Sequence, residues 1–288
     1  MTRTDTDTDT RADKPGALRA YTQGAKARIA IAAAAAAVAA TVWGVTAVVD
    51  TGHHPRHENA ARQTDDPANG GGGSPRAPGA QQVPEGIAHD SEAGKGAVNI
   101  TIDDGPDPTW TPKVLDLLKQ YDVKATFCMT GPQAKDHPDL VKKVVAGGHR
   151  LCDHTMDHNT GMDKKPVEYQ QQQILDAKKL IEDAAGGGAE VEYYRAPGGA
   201  FTPDSRRIAA ANGMRPLGWN VDSKDFSKPG AAAIVNTVKS EIKNGATVLF
   251  HDGGGNRSQT VEALEQVLSW LKAEGRPTGF PVVTGPSS

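Results

Sequence analysis

From Ala97 onward, short apolar runs alternate with longer stretches of helical period, and this alternation restricts the fold more than any other property of the chain. The runs fall at 97–102, 124–129, 149–152, 190–194, 214–221, 246–250 and 280–284. Between them the spacing predicts helices over 112–121, 137–146, 167–185, 204–212, 231–243 and 258–273. In the first of these, Val114, Leu115, Leu117 and Leu118 form one inward stripe. Glycines mark the helix ends: Gly147-Gly148, Gly186-Gly187-Gly188, Gly213 and Gly245. Short buried strands separated by helices are the pattern of parallel βα units. About seven such units predict an α/β fold, a deformed (β/α) barrel short of the full eight-fold form, with a doubly wound open sheet as the alternative. Either architecture collects its active site at the C-terminal ends of the strands.

The first third of the chain has a different composition. Residues 1–28 are polar, carry a Thr-Asp repeat, and read as a disordered cytoplasmic tail. Arg11, Lys14, Arg19, Lys26 and Arg28 precede 29–49, a run of 21 residues without a charge. As a helix it would be about 30 Å long, the thickness of a bilayer core. The basic residues before it place the N-terminus inside and the rest of the chain outside. The expectation is a single-pass signal anchor in the cell membrane. Cleavage near Val45-Thr46-Ala47 is the alternative and would make the protein secreted. Residues 50–93, with His53, His54, His57 and a glycine run at Gly70–Gly73, read as a disordered linker. Residues 94–288 are then the globular domain, expected to be monomeric. With 32 Lys and Arg against 35 Asp and Glu, the net charge of −3 leaves no basic footprint for nucleic acid.

Polar clusters follow the strands where a barrel puts chemistry. Asp103-Asp104 follows the first, His154 to His158 the third, Arg195 the fourth, Asp222 to Asp225 the fifth, and His251-Asp252 the sixth. His154 and His158, four residues apart, project from one face if they lie on a helical turn. With a carboxylate from another strand end they form a three-ligand set that leaves room for water and substrate, as a catalytic zinc requires. Adjacent carboxylates at Asp103 and Asp104 repel unless a cation offsets them.

The segments Thr101–Pro106, His154–His158, Arg195–Gly199, Asp222–Phe226 and Leu249–Asp252 occur in the order, and at the strand ends, of five known motifs. Together they resemble the NodB-homology polysaccharide deacetylases, carbohydrate esterase family 4, over about residues 95–285. The resemblance implies hydrolysis of N-acetyl groups on an extracellular polysaccharide, with release of acetate. Peptidoglycan or chitin-type N-acetylglucosamine polymers are the first candidates. Acetylxylan O-deacetylation and a non-catalytic glycan-binding role are the alternatives. It implies Asp103 as general base, Asp104, His154 and His158 as ligands of a divalent ion (Zn²⁺, with Co²⁺ as an alternative), and His251 as general acid. Asp225 would orient His251, and Arg195 would hold Asp103 ionised. Leu249 would line the acetyl pocket, and the Gly198 N–H would face the oxyanion. Three positions depart from the family pattern: Ile102 for Phe, Gly198 for an aromatic residue, and Phe226 for Trp. Cys128 and Cys152, the only cysteines, lie near the ends of the second and third strands; a bridge and two buried thiols are both open.

Overall fold

The computed structural model describes residues 83–285. The predicted cytoplasmic tail, membrane span and most of the linker lie outside the described residues. Among those described, no helix is long and apolar enough to cross a membrane.

The strands are β1 (Val98–Asp103), β2 (Ala125–Met129), β3 (Arg150–Asp153), β4 (Val191–Tyr194), β5 (Arg215–Pro216), β6 (Val221–Asp222), β7 (Thr247–His251) and β8 (Thr278–Gly279). The helices are α1 (Thr111–Tyr121), α2 (Gly131–Asp136), α3 (Pro138–Ala146), α4 (Val167–Ala185), α5 (Pro203–Ala211), α6 (Ala231–Glu241) and α7 (Ser258–Ala273). All strand pairs are parallel, in the order β5-β4-β3-β2-β1-β7-β6, with β8 also pairing with β1. β5 and β6 stand at opposite ends of this order, yet only residues 217–220 separate them. A flat sheet of seven strands is about 29 Å wide, and five Cα–Cα steps reach about 18 Å at most. The sheet therefore has to curl, which makes it the deformed barrel and excludes the flat doubly wound form.

Two expectations change here. The run 214–221 is not one strand but two strands of 2 residues each, split between the two sheet ends. An apolar run does not reveal that its middle crosses the barrel mouth. The last strand is Thr278–Gly279, ahead of the predicted 280–284, and Pro281 instead forms an antiparallel bridge to Ser91. A short helix, α2, was also not anticipated.

β1 shows how the strands build two environments. Val98, Ile100 and Ile102 join the apolar layer under the helices, so Ile102 serves as core. Asn99, Thr101 and Asp103 face the barrel interior and are as deeply buried. The interior is polar and partly hydrogen-bonded: Asn99 Nδ2 donates to Thr247 Oγ1 at 3.0 Å, and the Thr101 hydroxyl donates to the Val248 carbonyl at 2.7 Å. Cys128 and Cys152 are register partners on β2 and β3 with Cα atoms 4.1 Å apart, and they are bridged.

Residues 83–93, which composition assigns to the linker, belong to this body. Val83 and Ala88 are buried. Ala88 pairs in parallel with Leu217, its N–H donating to the Pro216 carbonyl at 2.8 Å. The His89 carbonyl accepts from Thr247 Oγ1 at 2.7 Å, and the Asp90 carbonyl from Asn99 Nδ2 at 3.2 Å. This strap closes the seam between β5 and the β7 side.

Candidate active site

The C-terminal strand ends surround a cavity of about 340 Å³ lined by Asp103, Asp104, His154, His158, Leu249 and His251, among others. Two larger hollows, one of about 640 Å³ at the N-terminal ends of β1 and β7 and one of about 610 Å³ between α1 and α3, contain none of these residues.

Asp103 ends the central strand β1, with Cys128 of β2 and His251 of β7 as its register partners. It is 2% exposed, and its Oδ1 accepts from Arg195 Nη1 at 2.7 Å. Arg195 follows β4 and is wholly buried. Its other donors reach Thr101 Oγ1 at 2.9 Å and the carbonyls of Leu217 and Gly218 at 3.2 and 2.9 Å. A buried guanidinium with this many acceptors is a fixed charge rather than a mobile one.

Asp104 turns away from the strand with φ 77° and offers Oδ1 to the cavity. That atom lies 3.6 Å from His154 Nε2 and 3.2 Å from His158 Nε2, is buried, and has no hydrogen-bond partner of proper geometry. Burial pushes the Asp104 carboxyl up, but the His158 contact and the charges of His154 and His251 outweigh it and hold the group well below the usual carboxylate range. Gly105 and Gly253 permit this turn. A Cβ on Gly105 would meet Asp252 Oδ1 at 2.2 Å, and one on Gly253 the Asp104 carbonyl at 2.3 Å.

The His154–His158 segment is not helical, contrary to the sequence reading. Thr155 and His158 are left-handed, with φ 69° and 52°, and this loop conformation brings the two rings into a T-shaped contact with centroids 4.9 Å apart. His154 is buried, and its Nδ1–H donates to the Arg195 carbonyl at 2.8 Å. That contact leaves Nε2 as the lone-pair atom facing Asp104. Burial lowers the His154 pKa, which favours the neutral, ligating form.

The donor set fits a divalent ion. One donor atom each from Asp104, His154 and His158 lie within 4.8 Å of one another. Donors about 2.1 Å from a common ion lie about 3.0–3.4 Å apart, close to the distances found. The unpartnered Asp104 Oδ1 is the decisive atom, because a buried anionic oxygen without a donor is otherwise costly.

Across the cavity, His251 Nδ1 lies 2.6 Å from Asp225 Oδ1. Asp225 Oδ2 accepts the His251 backbone N–H at 2.9 Å and the Thr260 hydroxyl at 2.8 Å. Burial alone would lower the His251 pKa, but the hydrogen bond to Asp225 and its charge raise it to about 9. Phe226 is 52% exposed, the only large exposed hydrophobic among the described residues, and meets the His251 ring edge-on at 6.0 Å. Leu249 is buried in the cavity wall, and Gly198, at φ 60°, has the Thr160 side chain 3.2 Å from where its Cβ would stand.

All ten residues expected to act in catalysis, substrate contact or metal binding thus gather at one cavity or brace a residue that lines it. Sequence reasoning missed Trp219 and Thr160 in its lining and Thr260 behind Asp225, and it singled out Asp222 without giving it a role. Trp219 was hidden because 214–221 reads as one strand.

The chain is similar to known deacetylases. The family model for polysaccharide deacetylase matches residues 90–217. A peptidoglycan-N-acetylglucosamine deacetylase from Bacillus cereus is 42% identical over 62% of this chain and 83% of its own length. A chitooligosaccharide deacetylase from Sinorhizobium fredii is 37% identical over 64% of this chain and 90% of its own. The crystal structure of the Bc1960 peptidoglycan N-acetylglucosamine deacetylase superposes with a TM-score of 0.64 at 29% identity, covering 70% of this chain and 95% of that one. With the five motifs assembled at one cavity, the chain belongs to the polysaccharide deacetylase family, the NodB-homology enzymes of carbohydrate esterase family 4.

Proposed function

We propose that the protein is a metal-dependent N-deacetylase of an extracellular N-acetylglucosamine polymer, with peptidoglycan ahead of chitin-type chains. One observation carries the reading. Asp103 and His251 are register partners on neighbouring strands, about 4.8 Å apart, so an acceptor and a donor of protons flank one point beside the Asp104–His154–His158 set. Asp104, His154 and His158 would hold a divalent ion, which would supply the Lewis acidity that acidifies water and polarises a carbonyl. Asp103, with one oxygen held by Arg195, takes a proton from the attacking water through the other. Leu249 walls the space for the acetyl methyl, and the Gly198 N–H donates to the oxygen that gains charge. His251, its Nδ1–H fixed on Asp225, gives a proton from Nε2 to the departing nitrogen. Acetate and a free amine on the sugar are the products.

The two relatives named above support the choice of a GlcNAc polymer. The chargeless run at 29–49 supports a single-pass or secreted protein whose barrel lies outside the cell. The test is acetate release by the full chain from peptidoglycan, chito-oligosaccharides and acetylxylan. Release from a GlcNAc substrate should stop with chelator and return with Zn²⁺ or Co²⁺. Release from acetylxylan alone would make the protein an esterase, and no release from any substrate with added metal would leave a glycan-binding role.

A further inference from the structure

The two histidines of the candidate metal centre are held very differently. His154 is buried, its backbone N–H donates to the Met129 carbonyl at 2.8 Å, and its ring is locked on the Arg195 carbonyl. His158 has a side chain 40% exposed and a left-handed backbone, and among the described residues its ring meets only the two other members of the set, Asp104 at 3.2 Å and His154 edge-on. Its aim therefore depends on the loop that carries it.

That loop is gripped from α4. Gln173 Oε1 accepts two consecutive backbone N–H groups, those of Met156 at 3.1 Å and Asp157 at 3.0 Å. One turn earlier on the same helix face, the Tyr169 hydroxyl donates to the Asp157 carboxylate and accepts from Asn159 Nδ2 at 3.1 Å. The start of the loop has its own anchors: Thr155 N–H donates to Asp153 Oδ1 at 2.7 Å, and Gly131 N–H to the Thr155 carbonyl at 3.0 Å. From Met156 to His158 the hold comes from α4. Gln173 sits within a run of four glutamines, Gln170–Gln173, whose composition gives no hint of such a task. Gln170, by contrast, turns to the Lys165 carbonyl and the Thr202 hydroxyl.

We propose that Gln173 is a positioning residue for the metal centre: its side-chain oxygen fixes the Met156–Asp157 backbone and so aims His158 at the ion. The inference rests on the metal-centre reading above. Only an acceptor of the right reach does this, so glutamate retains the function and methionine, of similar length, does not.

The test measures Zn²⁺ affinity of the full chain by competition with a chromophoric chelator, alongside the thermal midpoint of the metal-free protein. Gln173→Met is expected to bind Zn²⁺ about 10–100-fold more weakly, the usual cost of losing an outer contact that orients a ligand. Gln173→Glu should stay within about threefold of the parent, and Tyr169→Phe should fall between the two. The visible absorption of the Co²⁺-loaded protein should change in Gln173→Met and not in Gln173→Glu. Unchanged Zn²⁺ affinity in Gln173→Met, or an equal loss in Gln173→Glu, overturns the proposal. So does a lowered metal-free midpoint without any loss of affinity, the mark of a merely structural contact. His158→Ala separates the two levels: if it binds Zn²⁺ like the parent, the metal-centre reading fails. If it is impaired while Gln173→Met is not, only the positioning role fails.

Discussion

On one side of the cavity, Asp104, His154 and His158 converge with three residues at positive φ (Asp104, Thr155 and His158), a carboxylate depressed below its usual range and an acceptor atom without a donor. On the other, Asp225 takes the ring and backbone N–H groups of His251 and the Thr260 hydroxyl, so that its carboxylate is fully engaged. The first arrangement is incomplete as it stands and calls for a cation. The second is complete and needs only a substrate to protonate. Left-handed non-glycine residues occur on both sides, Asp104, Thr155 and His158 on the first and Lys224 and Lys228 around Asp225 on the second, as is common where function over-rules local preference.

This contrast can be broken from either side. The largest effect is expected from His154→Ala, which should lose metal and acetate release together, as seen by metal analysis after dialysis and by acetate assay. Asp103→Asn should lower turnover by about 10²–10⁴-fold, the usual contribution of a general base, while metal content stays that of the parent. Near-parental turnover there would remove Asp103 from the base role.

Asp225→Asn addresses the self-contained side. It should slow the reaction about 10²-fold and move the alkaline limb of the pH profile to lower pH, because His251 then loses the carboxylate that raises its pKa to about 9. The sign for stability follows. A folded-state pKa of about 9 lies above the ordinary value of 6.5, so this pair's contribution is complete below pH 6.5 and is lost as pH rises through about 9. Thermal midpoints of the parent in chelator should therefore fall across that window, and those of Asp225→Asn should fall less. The smallest effect is expected from Phe226→Ala. Losing an aromatic wall worth about 1 kcal/mol should raise KM about fivefold and leave kcat unchanged.

Legibility in the sequence followed the same divide between what is local and what is not. The helices 167–185 and 258–273 coincide with α4 and α7, because apolar period and glycine stops are local signals. The motif residues were legible because each ends a strand whose apolar run announces it. The T-shaped His154–His158 pair was misread as helical, since spacing alone does not distinguish a helical turn from two left-handed residues. The split of 214–221 and the role of Gln173 were invisible for a related reason. Both depend on partners distant in sequence, the far edge of the sheet in one case and the loop across α4 in the other.

The strap at residues 88–90 has a consequence for how the enzyme can be released from whatever precedes it. A protease that cut at residue 94 would remove the partners of Thr247, Asn99 and Leu217 together. Water would then reach Leu217 and Gly218, whose carbonyls receive the guanidinium of Arg195. Shedding at that point should inactivate as it liberates. A cut ahead of Val83 leaves the seam shut, so the protease-tolerant boundary of the active enzyme is set by the barrel's closure rather than by its first strand.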